Sequence, residues 1–315
     1  MSSIRSMITA AAGATAVLLA VAAPAQAATA PVRDPRILAH LDLAAGQQPE
    51  NITLEPDGDA DVTFAWTGQV ARVTRAGRTE VIAQVPVPDN GDVPLVHRKI
   101  FLGGIAATRD GVRYVSVSTG TAEGTGIYRF RPGHAPTRVA ALPADSFVNG
   151  LAIDQRTRQL YVADSANGVV WRVPLLGGAP VLWADGAELK SPGSFGANGV
   201  KLHDGAVWVS NTGNQTLVRI PVTEMGAAGT PRVAAEKLGP IDDFAFVGDR
   251  VLAAINADNR VVLIDEAGSA KTVLTAQDGL SNPTSIALRG DTLYVANAAY
   301  FTAKDPNLLT AHLAR

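Results

Sequence analysis

Val148-Asn149-Gly150-Leu151-Ala152-Ile153 and Ala197-Asn198-Gly199-Val200-Lys201-Leu202 are one phrase written twice, with the two asparagines 49 residues apart. In each, a polar anchor opens an alternating apolar run, the pattern of a half-buried strand. The phrase recurs without its glycine in Asp242-Asp243-Phe244-Ala245-Phe246, and weaker copies open at Glu50, Gly103 and Thr284. Successive anchors are separated by 53, 46, 49, 44 and 42 residues. A period of roughly 40–50 residues marks the blades of a propeller, each blade one four-stranded unit.

The third copy shows the unit in full. After Asn149, one strand runs to Ile153 and the chain turns through 154–158. Gln159-Leu160-Tyr161-Val162-Ala163 forms a second strand, and Val169-Val170-Trp171-Arg172-Val173 a third, stopped by Pro174. Asp-Gly between alternating apolar runs is a hairpin signal, and it stands at Asp57-Gly58, Asp110-Gly111 and Asp204-Gly205. Weaker outer strands are expected at 137–141 and 179–183. The last copy has no outer strand of its own, and Arg36-Ile37-Leu38-Ala39-His40-Leu41 is the segment available to supply it. The expected fold is therefore all-β, a six-bladed β-propeller of four-stranded blades whose last blade is closed by the N-terminal strand.

Residues 1–27 read differently. Arg5 precedes an apolar stretch ending in Leu18-Leu19-Ala20-Val21, followed by Pro24 and the small-residue site Ala25-Gln26-Ala27. This is the pattern of a secretory signal peptide cleaved before Ala28, so a secreted protein is expected, with one propeller domain over 28–315. Without Arg5 that domain carries 26 basic and 29 acidic residues, a net charge of −3. No Lys/Arg cluster stands out, which argues against nucleic acid and anionic membranes as partners. A small-molecule substrate and a monomeric state are expected. There is no cysteine, hence no disulfide and no thiolate-bound metal.

In a propeller, equivalent residues of different blades meet around one axis. Glu50, Asn149, Asn198 and Asp242 would therefore present two carboxylates and two amides to a common point. A hard divalent cation takes oxygen ligands of this kind, and Ca²⁺ is expected, with Mg²⁺ or Mn²⁺ as alternatives. None of the five histidines (His40, His97, His134, His203, His312) stands at an anchor, which argues against zinc. The bland reading of Asn-Gly is a turn. Here, however, the pairs precede a strand and do not join two.

The order Glu, Asn, Asn, Asp in blades one, three, four and five resembles the regucalcin (senescence marker protein)/gluconolactonase family of six-bladed propellers. It is also similar to the related calcium-dependent phosphotriesterases and arylesterases. The resemblance implies that Glu50, Asn149, Asn198 and Asp242 hold the cation and that Asp242 serves as general base. Asp243 stands where that family usually has glycine, so Asp243 is a second candidate for the proton or an added ligand. Blade six, with Asn282-Pro283-Thr284-Ser285, offers no His or Arg to bind a sugar lactone. The expected activity is a cation-dependent hydrolase of the lactonase or arylesterase type. A non-catalytic binding module with a hydrated channel, and a metal-free cyclase, are the alternatives.

The remaining motifs carry less. Asp164, Asn211, Asn256 and Asn297 follow the second strand in four blades and read as turn caps. Trp66, Trp171, Trp183 and Trp208 read as blade packing, and His97 as a solvated loop residue. The glycine-rich stretch 120–126 lies between strands and opens no helix, so it is a turn and not a phosphate cradle. No Gly-x-Ser-x-Gly elbow is present. The connections 86–103 and 185–197 are long and arrive at anchors, which places both on the face that carries the ring.

Overall fold

The structure is a computed structural model, and it describes residues 31–314. The expected signal peptide lies outside the described residues. Six four-stranded antiparallel sheets follow one another around a ring. Their innermost strands are Pro49–Leu54, Phe101–Ala107, Val148–Asp154, Ala197–His203, Ile241–Val247 and Pro283–Arg289. Among the described residues helix is confined to one short 3-10 turn at Ala276–Asp278, and no helix is long and apolar enough to cross a membrane. The outer strands follow the expected pattern with small shifts. Thr137–Ala141 agrees to the residue, while the strand expected at 179–183 runs from Val181 to Asp185.

Closure occurs as the sequence implies. In the sixth blade Pro283–Arg289, Thr292–Asn297 and Asn307–Leu313 are completed by Val32–His40, which pairs antiparallel with the last strand. The strand Asn307–Leu313 is then paired on both of its edges.

The core lies between blades. Val170 and Val162-type positions of one sheet face their counterparts on the next, giving six apolar clusters, one for each pair of neighbouring blades. This explains why inner and middle strands bury both faces and read as almost continuous apolar runs. A seventh cluster is different in kind. Ala65, Val93, Phe101 and Phe147 form it together with Trp66, Phe195 and Tyr300, over the mouth of the ring.

One irregularity recurs at all six anchors. Every innermost strand shifts register against its neighbour near its start, between Pro49 and Ile52, Leu102 and Ile105, Val148 and Leu151, Ala197 and Val200, Ile241 and Phe244, and Pro283 and Ser285. A bulge re-aims the side chain it carries. Each anchor sits inside its bulge, so the repeat seen in the sequence is a repeat of bulged strand openings.

Candidate functional site

The bulges are held by side chains of the preceding blade. Thr63 Oγ1 donates to the carbonyl of Gly103 at 2.7 Å, and Ser116 and Ser210 do the same for Asn149 and Asp242, each at 2.5 Å. One residue earlier, Ser165 donates to the Ala197 carbonyl, Thr212 to that of Ile241 and Thr284 to that of Pro49. Each anchor is thus positioned by backbone that the neighbouring blade grips.

The glycine after an anchor has a packing reason. A Cβ on Gly150 would lie 2.6 Å from the Asn198 carbonyl oxygen, and one on Gly199 would lie 2.9 Å from that of Asp242. The Asn-Gly pairs are places where neighbouring strands approach too closely for a side chain. Gly103, the bare anchor of blade two, is crowded in the same way against Asn149 Cα at 3.0 Å.

Neighbouring hydroxyls orient the two amides, closely for Asn198 and more loosely for Asn149. Ser165 and Thr212 spend their hydroxyl protons on the Ala197 and Ile241 carbonyls, so each can only accept from its asparagine. Asn198 Nδ2 donates to Thr212 Oγ1 at 2.8 Å and Asn149 Nδ2 to Ser165 Oγ at 3.4 Å. With the NH₂ groups held this way, the amide oxygens are the atoms available to a ligand.

Glu50, Asn149, Asn198 and Asp242 all line one axial cavity of about 650 Å³. Glu50 and Asp242 are buried, and among the described residues neither forms an ion pair with Lys, Arg or His. Burial pushes Glu50 up to about 8, with the Tyr300 hydroxyl opposing the shift and the Asp243 charge adding to it. Burial likewise holds Asp242 well above the usual carboxylate range, followed by the charges of Glu50 and Asp243. Burial leads both shifts, the charge of Glu50 adds to that of Asp242, and among the described residues no Lys, Arg or His pairs with either group to offset it. The donor set is oxygen only, and among the described residues no cluster of three or more His, Cys, Asp or Glu side chains is assembled. Two carboxylates and two amide oxygens fit Ca²⁺ or another hard divalent cation better than zinc.

Asp243 is not among the residues lining this cavity. Its carboxylate accepts from Lys201 Nζ at 2.6 Å, from Ser285 Oγ at 2.7 Å and from Asn51 Nδ2 at 3.2 Å. The residue after the anchor is Gly in blades two, three and four, and Asn51, Asp243 and Ser285 in blades one, five and six. These three polar side chains form a hydrogen-bonded layer beneath the ring. The role of proton acceptor or added ligand expected for Asp243 is therefore at odds with its engagement by three partners.

The walls come from loops. Leu95, Val96 and Arg98 from one long connection and Phe195 from the other line the cavity, in keeping with their expected placement. A third wall, Ala299, Tyr300, Phe301 and Ala303, lies in the connection before the last strand, which no repeat signalled. Tyr300 Oη donates to Glu50 Oε2. Trp66 is a correction: it lines the cavity, with its ring centroid 5.6 Å from that of Tyr300. Asn256 also faces the cavity, while donating to the Pro283 carbonyl. Asp164 and Asn211 cap the turns after their strands as expected, accepting from the Asn167 and Asn214 amides, whereas Asn297 accepts from the Ser281 amide and so ties down the loop before its blade. His97 is solvated and its Nδ1 lies 3.0 Å from Asp92.

No protein-family model matches the chain, and no curated protein matches it by sequence. Solved structures do. A PQQ-bound aldose sugar dehydrogenase from Streptomyces coelicolor is similar at 18% identity and a TM-score of 0.63, over 90% of this chain and 100% of that one. A candidate gluconolactonase is similar at 15% identity and 0.63, over 89% and 92%. A virginiamycin B lyase from Staphylococcus aureus, in an inactive H270A form with quinupristin, is similar at 13% and 0.59, over 89% and 100%. At these identities the likeness establishes the six-bladed fold. Dehydrogenase, lactonase and lyase names on one architecture leave the chemistry to the site.

Proposed function

We propose that this protein is an exported, divalent-cation-dependent hydrolase of the lactonase or arylesterase type, acting on a small molecule in the axial cavity. The observation that carries the reading is the pair of buried carboxylates, Glu50 and Asp242, which share one cavity floor with two oriented amides and have no cationic partner among the described residues. Glu50, Asn149, Asn198 and Asp242 would hold the ion. A bound Ca²⁺, or Mg²⁺ or Mn²⁺, supplies positive charge that polarises a carbonyl and acidifies a water. Asp242 accepts a proton from the attacking water as its oxygen bonds to the carbonyl carbon. The bond from that carbon to the ester oxygen breaks, the leaving oxygen takes a proton, and an acid and an alcohol result. Asp243, tied to Lys201, keeps the layer beneath the floor in place. Export rests on the pattern of residues 1–27.

A second reading rests on the Tyr300–Glu50 hydrogen bond and a Glu50 pKa of about 8. A Glu50 still protonated near neutrality could act as a proton donor in a metal-free lyase or cyclase. Metal analysis of the purified protein separates the two. The hydrolase reading expects one tightly held divalent ion per chain, and EDTA should lower both thermal stability and ester or lactone hydrolysis, with Ca²⁺ restoring both. Stability and activity indifferent to EDTA and Ca²⁺ would sink it.

A further inference from the structure

The upper part of the axial cavity has a chemistry that its floor does not explain. The chain has 17 aromatic residues, and six of them line this one cavity: Trp66, Phe101, Phe147, Phe195, Tyr300 and Phe301. Four form a continuous arc. Trp66 and Phe101 centroids are 5.5 Å apart, Phe101 and Phe147 4.3 Å, and Phe147 and Phe195 5.2 Å. These residues belong to four different blades or their connections, so the arc is built by the ring and not by one segment. Packing between blades does not need it, because the six inter-blade clusters are separate from this one. A wall of ring faces and edges suits a flat apolar body and gives few partners to a polyhydroxylated sugar.

One positive charge stands at this wall. Arg98 is the only Lys or Arg among the residues lining the cavity, and its guanidinium lies 5.8 Å from the Trp66 ring centroid. Among the described residues it has no carboxylate partner. A guanidinium with no carboxylate partner keeps N–H groups free, and its planar fork matches a carboxylate in a two-pronged geometry. The floor, by contrast, is lined by the oxygens of two carboxyl groups and two amides. The cavity therefore presents apolar walls, an oxygen-lined floor and one cationic rim group.

We propose that the cavity takes planar, apolar carboxylates, and that Arg98 is a specificity-determining residue that receives the carboxylate while the aromatic arc receives the body. The substrate would then be an ester or lactone with an aromatic or similarly flat body and a free carboxylate. The orientation of its reacting carbonyl rests on the hydrolase reading above. The binding itself does not.

The test has two arms that fail separately. In the first, 2-naphthoate is titrated into the protein with Ca²⁺ and again with EDTA, beside 2-naphthol and gluconate, and binding is read by calorimetry. Naphthoate should bind more tightly than both, and Arg98→Gln should weaken it by roughly ten- to a hundredfold, the worth of one charge-assisted hydrogen-bonded pair. Arg98→Lys should recover part of that loss, and naphthol should be insensitive to either change. In the second arm, kcat/KM is compared for the 4-nitrophenyl monoester of glutaric acid and for neutral 4-nitrophenyl butyrate. The monoester should be preferred, and Arg98→Gln should erase the preference by raising KM for the monoester alone. If naphthoate binds as expected but neither ester is hydrolysed, the ligand class stands and the hydrolase reading fails. If naphthoate and gluconate bind alike, or if Arg98→Gln changes neither naphthoate affinity nor the ester ratio, the proposal is overturned. Arg98 is an exposed loop residue, so its variants should fold; unchanged Tm confirms this in each case.

Discussion

The ammonium of Lys201 lies 2.6 Å from the carboxylate of Asp243, joining blades four and five directly beneath the axial ring. Asp243 is nearly fully buried and Lys201 only partly so. Removing the carboxylate strands a half-desolvated charge and unpairs Ser285 and Asn51 as well. Asp243→Ala should therefore cost about 2–3 kcal/mol of stability, below the full range for breaking a buried pair because Lys201 can still reach water. Urea denaturation checks this, and Lys201→Met in the same background should recover part of the loss. A loss of metal binding with no change in stability would instead make Asp243 a ligand.

Glu50 makes stability and metal binding depend on pH in opposite ways. Its pKa is raised from 4.5 to about 8 in the folded, metal-free protein. Between those values the folded state keeps a proton that the unfolded chain has lost, so metal-free stability falls as pH rises through the window and the loss is complete above about 8. Metal binding needs the carboxylate, so the Ca²⁺-induced gain in Tm should grow over the same window. Thermal scans from pH 5 to about 9, with and without Ca²⁺, test both slopes. Glu50→Gln should reduce the slope of the metal-free profile, leaving the part contributed by Asp242, and remove most of the Ca²⁺ effect.

Tyr300 tunes that window. Its hydroxyl donates to Glu50 and lowers the carboxylate's pKa against the effect of burial. In Tyr300→Phe that opposition is lost, so Glu50 should titrate higher and half-maximal Ca²⁺ binding should move to higher pH. The stability cost should be about 1 kcal/mol, the net worth of one hydrogen bond. A midpoint that stays put, with Tm lowered, would reduce Tyr300 to a packing residue.

How much of this was legible in the chain follows from periodicity. The six anchors announce themselves because each opens a strand at a near-constant interval, and that interval is fixed by the size of a four-stranded blade. Glu50, Asn149, Asn198 and Asp242 are accordingly found on one cavity floor. Arg98, Phe195 and Tyr300 sit on connections of unequal length, which have no register to read, so their meeting over the ring is invisible in the sequence. Trp66 was misread for the same reason: it lies just past its strand, where the chain leaves the blade core for the mouth. That Asp243 lies outside the cavity lining was not legible either, because adjacent residues of a bulged strand face different layers, and spacing alone does not say which.

A second buried ion cluster, away from the ring, should matter only for stability. Asp61 is fully buried and accepts from Arg72 at 2.8 Å within its own blade and from Arg113 of blade two at 2.9 Å. Arg113 also pairs with Glu55 at 2.5 Å. Asp61→Ala leaves two guanidiniums around a void, with Glu55 the remaining acceptor. The cost should be about 3 kcal/mol, at the lower end for a broken buried pair because of Glu55. Ca²⁺ affinity, measured at a temperature where the variant is folded, should be unchanged. A large fall in affinity would mean that the blade-one bulge carrying Glu50 depends on this cluster.

Ring closure gives the last prediction. Val32 pairs with Leu313, His40 with Asn307, and the Ala314 amide donates to the Pro31 carbonyl at 3.0 Å. The closing strand and the last strand are thus two arms of a hairpin whose turn the chain does not make. Joining 314 to 31 through a short turn, and opening the chain in the connection between His40 and Pro49, preserves every strand pairing and converts a long-range closure into a local one. Such a permutant should keep a Tm within a few degrees of the parent and should refold faster, since sequence separation across that strand pair falls. A chain that merely lacks residues 31–41 should behave oppositely. It leaves the edge of Asn307–Leu313 unpaired and Leu308 and Leu309 uncovered, so it should lose Tm and associate through that edge. Size-exclusion chromatography and thermal melts of both variants distinguish a strand needed for closure from one that only decorates the blade, since a decorative strand could be removed without association.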